Sequence, residues 1–492
     1  MTQLIALDQS TSGTKALLVD EEGRVHARAA RSHRQIYPRP GWVEHDADEI
    51  YRNVLDCLNE LARAAPGPVA GAACLSLTNQ RETFVIFDRA TGAPLHNAVV
   101  WQCRRGDAVC REFAAAGHTE YVRRATGLPL DSYFPAPKLT QLLRDEPRLR
   151  AALLSGTALF GTIDAYLVYR LTSGRSFATD QTNASRTLLF DIGRLCWDER
   201  LLDLFGCPPH ALPEVRGSTD RFGTTDGDGT LPAAVPICGV MGDSQAALFA
   251  ERAFCAGSAK VTLGTGSSVL LNAGHTWNPS HGGIVTTVAW VYDGKPTFAL
   301  EGIVHSSGAT IAWLKDQLQL LRAPEESESL ATSIEDNGGV YLVPAFVGLG
   351  APYWSQEARA AIVGLTPHST RAHVARAALE AIAYQIRDVL DAMAAECGRP
   401  LVEISADGGM VGNAFLVQFI ADVTKVEVRA STVPELSALG AAFAGMLGIG
   451  VHGSLDSLGR LDLDARRYVP RMPPARADDL HAGWKRAVSR TL

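Results

Sequence analysis

The 492-residue sequence lacks the features of several large protein classes. Its nine cysteines are scattered and include no Cys-x-x-Cys pair, which favours reduced thiols over a zinc site or a disulfide framework. It has no apolar run near the roughly 20 residues that a membrane helix needs, so we expect no membrane insertion. The net charge of −7 disfavours a general nucleic-acid-binding protein. The first residues show no basic stretch followed by a long apolar one, so we expect no signal peptide and a cytoplasmic location.

Two similar segments lie about half a chain apart. Residues 4–20 read as a strand, a small polar turn at Thr11-Ser12-Gly13, and a second strand. Residues 259–272 repeat this order around Gly264-Thr265-Gly266. With 46% hydrophobic residues and a length that allows two or three domains, the repeat predicts two related α/β domains.

Turns of this composition suit anions. Gly and Ser let several backbone N–H groups point into one concavity, where phosphates bind. Hairpin turns favour Gly and Ser in any case, so a single copy is often only structural. Two copies, one at the start of each half, favour phosphate binding. A third Gly-rich element follows the predicted strand 402–407 and leads through Gly408-Gly409 into an apolar helix from Ala414.

Polar residues follow an apolar run in the first half. Residues 69–77 predict a buried strand, and Thr78 to Thr83 come directly after it. Ligands bind at such rims of α/β sheets. Arg81 offers donors and Glu82 offers acceptors, which together suit a ligand with hydroxyl groups. The alternative is a solvated loop with an incidental ion pair.

Two aspartates end predicted strands. Asp243 follows the apolar residues 235–240 where a helix is predicted to begin. An ionised carboxylate there could accept the proton of a hydroxyl that attacks phosphorus, or it could serve only as a helix N-cap. Asp8, at the end of the first strand, could hold hydrated Mg²⁺ or merely cap a turn. Trp101 and Tyr133 could form a wall and a donor for a ligand, or belong to the core.

Longer strings identify a resemblance. Residues 36–46, 78–83, 100–105, 182–187 and 348–354 resemble the FGGY family of carbohydrate kinases, and within it the glycerol kinases, over nearly the whole length. The resemblance implies an α/β fold with two actin-like ATPase (ribonuclease H-like) domains around a central cleft. Residues 1–250 would hold the polyol site and first phosphate loop, and residues 251–492 the second phosphate loop and the adenosine-binding segment. It also implies ATP and Mg²⁺, a small polyol substrate and, by analogy, a homodimer or homotetramer.

Site residues follow from the same resemblance. The polyol site would comprise Arg81, Glu82, Trp101, Tyr133 and Asp243, with Asp243 as general base. The nucleotide site would comprise Thr11, Ser12, Gly13, Lys15 (in place of a common Arg), Thr265, Gly308, Gly409 and Asn413. Asp8, together with Asp243, would hold the metal.

Two positions of the expected polyol pocket depart from the glycerol kinase pattern. Ser244 stands where those enzymes usually carry Gln, and Ser268 where they usually carry Phe, so the polyol pocket should be deeper and more polar at one end. A three-carbon substrate would lose about 1–3 kcal/mol of contacts there, while a tetritol or water could fill the space. The leading hypothesis is therefore an ATP-dependent kinase for a small polyol, glycerol by resemblance. The alternatives are a kinase for a larger polyol or ketose of the erythritol, xylulose or ribulose type, and a catalytically silent actin-like nucleotide-binding protein, against which Asp8 and Asp243 argue.

Overall fold

The computed structural model describes residues 2–226, 230–280 and 283–492. Its strands are, in chain order, β1 Gln3–Gln9, β2 Gly13–Asp20, β3 Val25–Ser32, β4 Glu44–His45, β5 Leu75–Asn79, β6 Phe84–Asp88, β7 Ala98–Val99, β8 Ala158–Thr162, β9 Ala178–Asp180, β10 Phe190–Asp191, β11 Cys196–Trp197, β12 Glu214–Arg216, β13 Arg221–Thr224, β14 Pro236–Gly242, β15 Ser258–Leu263, β16 Ser267–Gly274, β17 Val285–Tyr292, β18 Lys295–Val304, β19 Tyr341–Val343, β20 Ala361–Val363, β21 Glu403–Asp407, β22 Val428–Ser431 and β23 Ala465–Tyr468.

Helices pack around and between these strands. They are α1 Ala47–Ala64, α2 Pro66–Ala70, α3 Asp107–Ala115, α4 Thr119–Thr126, α5 Pro135–Asp145, α6 Pro147–Leu154, α7 Ile163–Leu171, α8 Gln181–Ala184, α9 Glu199–Phe205, α10 Asp243–Ala250, α11 Gly308–Asp316, α12 Glu326–Thr332, α13 Arg371–Cys397, α14 Ala414–Thr424, α15 Leu436–Gly448, α16 Leu455–Gly459 and α17 Pro474–Val488. Within the described ranges, no helix is both long and apolar enough to cross a membrane.

The two large sheets share one internal order. The first runs β13-β14-β5-β1-β2-β3, and the second runs β17-β18-β16-β15-β21-β22-β23. In each sheet, a hairpin of antiparallel strands (β1–β2 or β15–β16) pairs on one side with a further antiparallel strand (β3 or β18). On the other side, two parallel strands follow (β5 and β14, or β21 and β22). The shared order agrees with the prediction of two related α/β units.

One predicted strand begins later than expected. The apolar residues 69–77 were expected to form it from the start, but residues 66–70 form the short helix α2 and the strand begins at Leu75. Pro66 occupies the first helical turn, where its fixed φ suits a helix and its missing N–H costs nothing. From Leu75 onward the backbone pairs with β1 on one side and β14 on the other.

Helix α15 connects the two halves of the molecule. Although it lies late in the chain, it packs against α10 and against strands β14, β5 and β1 of the first sheet. A Cβ at Gly440 would overlap the carbonyl oxygen of Ala246, and one at Gly445 would overlap the Ser76 hydroxyl. Gly440 therefore permits the close approach of α15 to α10, the helix that begins with Asp243, and Gly445 permits its approach to β5. The domain boundary at residue 250 stays a prediction.

Candidate active site

Strand ends and hairpin turns from both sheets meet around one cavity of about 560 Å³. The cavity is lined by every residue expected in the polyol site, namely Arg81, Glu82, Trp101, Tyr133, Asp243, Ser244 and Ser268. Thr11 of the first hairpin turn and Gly266 of the second also line it. Residues that are far apart in the sequence thus converge where the two hairpins approach each other.

Parallel pairing explains why Arg81 and Asp243 are neighbours. Strands β1, β5 and β14 lie side by side in parallel, and Asn79 pairs with Gln9 on one side and Gly242 on the other. Their carboxyl ends therefore meet at one edge of the sheet, where ligands of α/β proteins bind. Arg81 and Asp243 each follow this edge by one or two residues.

A buried ion network forms the floor of the cavity. Arg81 Nη2 donates to Glu301 Oε1 at 2.7 Å, and Arg186 Nη1 lies 2.6 Å from Glu301 Oε2. Arg186 Nε donates to Glu82 Oε1 at 2.5 Å. Burial alone would raise the pKa of Glu301, but the guanidinium groups of Arg186 and Arg81 hold it at about 2. The carboxylate of Glu301 is therefore ionised and fixes both arginines.

Glu82 adopts an unusual backbone conformation within this network. Its φ is 59°, in the left-handed region that residues other than glycine seldom occupy. Its side chain is almost completely buried against Arg186. Such backbone strain persists only where the surroundings fix it, and it is common at ligand sites.

Asp243 stands at the open side of the network. Helix α10 begins at Asp243 with Gly242 in the N-cap position, so the expected capping role of the Asp243 side chain is not observed. Asp243 Oδ1 instead accepts from the amide of Ser244 at 2.7 Å and lies 3.3 Å from Arg81 Nε. The side chain keeps 36% of its exposure, so this carboxylate is oriented by a cation yet accessible from the cavity.

Trp101 and Tyr133 form an aromatic wall. Their ring centroids lie 5.4 Å apart. Trp101 Nε1 donates to Thr11 Oγ1 at 2.9 Å, which ties the wall to the first hairpin turn. Burial raises the pKa of the Tyr133 phenol, so it stays neutral and able to donate a hydrogen bond at neutral pH.

The first hairpin turn is compact. The amide of Ser10 donates to the carbonyl of Gly13 at 2.8 Å, and a Cβ at Gly13 would lie 2.5 Å from the carbonyl oxygen of Arg31. Ser12 is exposed at the tip of this turn. Lys15, expected at the phosphates, donates to Glu435 Oε2 at 2.5 Å. Lys15 therefore already has an acidic partner, contributed by the residue that precedes α15.

Three of the expected nucleotide contacts lie together in the second half. The amides of Ser307 and Gly308 donate to the carbonyls of Thr265 and Gly264, both at 2.9 Å, so the second hairpin turn abuts the start of α11. A Cβ at Gly308 would contact Met410, in the 3₁₀ turn that begins at Gly409.

Asn413, the fourth expected contact, has a helix-capping role. Its Oδ1 accepts from the amide of Leu416 at 2.9 Å and thereby caps α14. Its Nδ2 lies 3.4 Å from Ser327 Oγ. The Asn413 side chain therefore stabilises the start of α14, the helix that follows the Gly-rich residues 408–412.

Asp8 is a buried carboxylate with unused hydrogen-bonding capacity. Its Oδ1 is buried and has no hydrogen-bond partner among the described residues. Burial raises its pKa to about 7, with Lys15 opposing and the carboxylates of Asp243 and Glu435 adding to the rise. The described residues contain no cluster of three or more His, Cys, Asp or Glu that could hold a metal. Mg²⁺ commonly binds one or two carboxylates together with substrate phosphates, so Asp8 beside Asp243 fits a magnesium–nucleotide complex.

Sequence reasoning missed Glu301, Arg186 and Gln245. Glu301 lies in the middle of β18, and its signal was a lone acid within an otherwise apolar run. Arg186 lies within residues 182–187, which carry the family resemblance but no local sign of its role in the ion network. Gln245 Oε1 accepts from Arg81 Nη1 at 3.2 Å, and its position one turn into α10 offered no local signal.

Comparison with known proteins gives matches along nearly the whole chain. The model of the FGGY family of carbohydrate kinases, N-terminal domain, matches residues 3–250, and the C-terminal domain model of the same family matches residues 259–449. Glycerol kinase 1 of Thermotoga maritima is 45% identical over 489 residues, which cover 99% of each chain. A glycerol kinase of Shewanella piezotolerans is 46% identical over 490 residues, with 99% of each chain covered.

Solved structures give the same result for the fold. Plasmodium falciparum glycerol kinase with ADP superposes with a TM-score of 0.96 at 35% identity, covering 100% of this chain and 98% of that chain. Xylulose kinase from Lactobacillus acidophilus superposes with a TM-score of 0.88 at 21% identity, covering 99% of each chain, which is a likeness of fold. The predicted α/β fold of two actin-like ATPase domains is confirmed. The chain belongs to the FGGY family of carbohydrate kinases, which are phosphotransferases with an alcohol group as acceptor.

Proposed function

We propose that this protein is an ATP-dependent glycerol kinase, which transfers the γ-phosphoryl group of ATP to a terminal hydroxyl of glycerol. The observation that carries the proposal is the accessible carboxylate of Asp243, held 3.3 Å from Arg81 in a cavity that also contacts both hairpin turns. The named relatives support glycerol as the acceptor. A cytoplasmic location and a homodimer or homotetramer belong to the same proposal, with support from family likeness alone.

The cavity residues divide the chemistry between them. Arg81 and Glu82 bind the hydroxyls of the polyol, and Trp101 and Tyr133 cover its carbon face. Asp243 accepts the proton of the attacking hydroxyl of the polyol while the oxygen of that hydroxyl bonds to the γ-phosphorus. The bond from that phosphorus to the β,γ-bridging oxygen breaks, and its electron pair leaves with ADP. Backbone amides of the two hairpin turns, around Thr11 and Thr265, stabilise the phosphate charge.

Replacing Asp243 by asparagine tests the base. The amide cannot accept the proton, so we expect kcat to fall by about 10²–10⁴-fold while the dissociation constants for ADP and glycerol change less than about twofold. The matched control is Asp48→Asn, which alters a partly exposed aspartate in the first turn of α1, 2.8 Å from Arg170 and away from the cavity. Normal turnover in Asp243→Asn would refute the assigned role. Turnover in the wild type itself separates a kinase from a catalytically silent nucleotide-binding protein.

We also propose that Asp8 helps to hold Mg²⁺ with the nucleotide. When bound, Mg²⁺ would neutralise phosphate charge in the transition state. Asp8→Asn should raise the Mg²⁺ concentration needed for the half-maximal rate, and direct titration of Mg²⁺ into the ADP complex should show the same weakening. An unchanged Mg²⁺ requirement would exclude Asp8 from the metal site.

A second candidate, a kinase for a larger polyol, is favoured by one observation. Ser268 Oγ lies at the cavity, is buried, and has no hydrogen-bond partner in the described parts of the chain. Ser244 also lines the cavity, and its Oγ makes a long contact of 3.4 Å with Asp243 Oδ1. An additional CHOH group of a tetritol could use these two hydroxyls.

Measuring kcat/KM for glycerol, erythritol, threitol, xylulose and ribulose decides between the two candidates. Ser244→Gln combined with Ser268→Phe should shift the preference towards glycerol. Turnover of a tetritol without turnover of glycerol would reject the glycerol assignment, and an unchanged preference in the double variant would reject the role of the two serines.

A further inference from the structure

Lys138 is a fully buried lysine in α5, with 0% exposure. Lysine is almost never fully buried unless it is paired. Among the described residues, no carboxylate forms an ion pair with it. Its ammonium group instead donates to four backbone carbonyls, of Tyr133 at 2.8 Å, Val100 at 3.1 Å, Trp101 at 3.2 Å and Glu82 at 3.4 Å.

Three of these four carbonyls belong to residues that line the polyol cavity. Glu82 lies between β5 and β6, Trp101 follows β7, and Tyr133 precedes α5. The three segments come from different parts of the chain, and the ammonium group is a common point to which all of them are bonded. Its position therefore fixes the distances between the acidic residue and the two aromatic rings of the wall.

Stability alone gives a poor account of this lysine. Burial lowers the pKa of Lys138 to about 7, which shows that its charged form is costly in the folded protein. The protein nevertheless keeps a charged donor at this position, where an apolar side chain would avoid the cost of burying a charge. The carbonyl oxygens can only accept, so an apolar side chain here would remove one hydrogen bond from each of them.

We propose that Lys138 is a positioning residue for polyol binding, because its buried ammonium group holds the backbones of Glu82, Trp101 and Tyr133 in the arrangement that a polyol needs. The inference rests on the proposed polyol kinase function. Lys138 itself would not contact the substrate. Loss of the ammonium group should therefore weaken polyol binding. It should leave the nucleotide site intact, since none of the four carbonyls that Lys138 contacts belongs to a residue expected at the nucleotide.

Lys138→Met tests the proposal, since methionine has a similar length and no donor. For the polyol that the wild type phosphorylates best, we expect KM to rise about tenfold or more, with KM for ATP changed less than about twofold. The matched control is Thr140→Val on the same helix. Thr140 is also buried and donates to the carbonyls of Ala136 and Phe205, neither of which lines the cavity. Thr140→Val should leave both KM values unchanged.

Chemical rescue separates positioning from general damage. In Lys138→Ala, added propylammonium should restore part of the lost polyol affinity, whereas tetramethylammonium at the same ionic strength, having no N–H donor, should not. The proposal is overturned if Lys138→Met keeps the wild-type KM, if Thr140→Val raises it equally, or if neither amine or both amines restore binding. Failure of both Lys138 variants to fold where Thr140→Val folds would assign Lys138 to stability and would also overturn it.

Calorimetric titration of polyol without ATP keeps this test apart from the proposed function. A wild type that binds a polyol without phosphorylating it would refute the kinase proposal, while the effect of Lys138→Met on the dissociation constant would still be measurable. A wild type that phosphorylates a polyol, together with an unchanged dissociation constant in Lys138→Met, would refute the positioning role alone.

Discussion

Glu301→Gln is the most direct test of the buried ion network beneath the cavity. Glu301 belongs to β18 of the second sheet, and its carboxylate contacts Arg81 at 2.7 Å and Arg186 at 2.6 Å. The substitution keeps the shape of the side chain and removes its charge. Two buried guanidinium groups would then share the carboxylate of Glu82 and the partly exposed carboxylate of Asp243.

The expected loss of stability follows from the ionisation of Glu301. Holding its pKa at about 2, against an ordinary value of 4.5, corresponds to about 3 kcal/mol in favour of the ionised form. Removing one partner of a buried ion pair costs about 3–5 kcal/mol in other proteins, which is a similar figure. We expect the free energy of unfolding to fall by about 3 kcal/mol.

Polyol binding should weaken as well. Arg81 would lose the partner that orients it, and a hydrogen bond from a charged donor contributes about 1.5–3 kcal/mol, or roughly a tenfold to hundredfold change in affinity. KM for the polyol should therefore rise about tenfold or more, while KM for ATP should change little. Urea unfolding followed by tryptophan fluorescence and steady-state kinetics measure the two effects.

The pH dependence has a definite sign. A carboxylate whose pKa is lowered in the folded protein stabilises it above its ordinary pKa, and this contribution is lost as the pH falls through the folded value. The wild type should exceed Glu301→Gln in unfolding free energy by the full amount at pH 7. This difference should become smaller as the pH falls from about 4.5 towards 2.

Glu380→Gln is the matched control for Glu301→Gln. Glu380 is equally buried, lies 2.8 Å from Arg376 in α13, and is not a cavity residue. It should leave KM for the polyol unchanged. A KM for the polyol within about twofold of the wild type in Glu301→Gln, or an equal rise in Glu380→Gln, would show that the ion network does not orient Arg81 for binding.

Three further substitutions probe the surroundings of the site. Thr11→Val removes the acceptor of the Trp101 indole, and steady-state kinetics should show KM for the polyol raised about threefold to tenfold. Gly440→Ala would press a methyl group into the carbonyl of Ala246, and urea unfolding should show a loss of about 1–3 kcal/mol. The value of kcat should also fall, because α10 begins with the proposed base, Asp243. Burial raises the pKa of Glu251 to about 8, so the wild type should lose stability as the pH rises from about 4.5 to 8. Thermal melts should show that Glu251→Gln is more stable than the wild type at pH 8, by up to about 4 kcal/mol, and that this difference shrinks towards pH 5.

The sequence predicted the residues that follow buried strands. Arg81 and Asp243 each come within four residues of the end of an apolar run. Such a change from apolar to polar residues marks a sheet edge without knowledge of the partner strand. The same local signal predicted both hairpins, β1–β2 and β15–β16, within one or two residues of their bounds. It also predicted that a helix begins at Asp243, the proposed base, as α10 does. Gly242 holds the N-cap position, and helix bounds commonly differ by one residue.

Residues whose role depends on a distant partner could not be found in this way. Glu301 is 220 positions from Arg81, and nothing in the local pattern of either residue names the other. Lys138 lies in a segment with an ordinary helical pattern, where a lysine is usually exposed. Its burial and its four carbonyl partners become visible in the structure. Lys15 fitted a phosphate loop by position, yet in the structure its charge is already paired with Glu435, from the opposite end of the chain. The strand-end motifs thus supplied the groups that face the cavity, while the groups that hold them in place came from the packing of the two halves. That division explains why the chemistry could be predicted from the sequence more fully than the substrate, since the shape of the pocket depends on residues whose partners only the fold brings together.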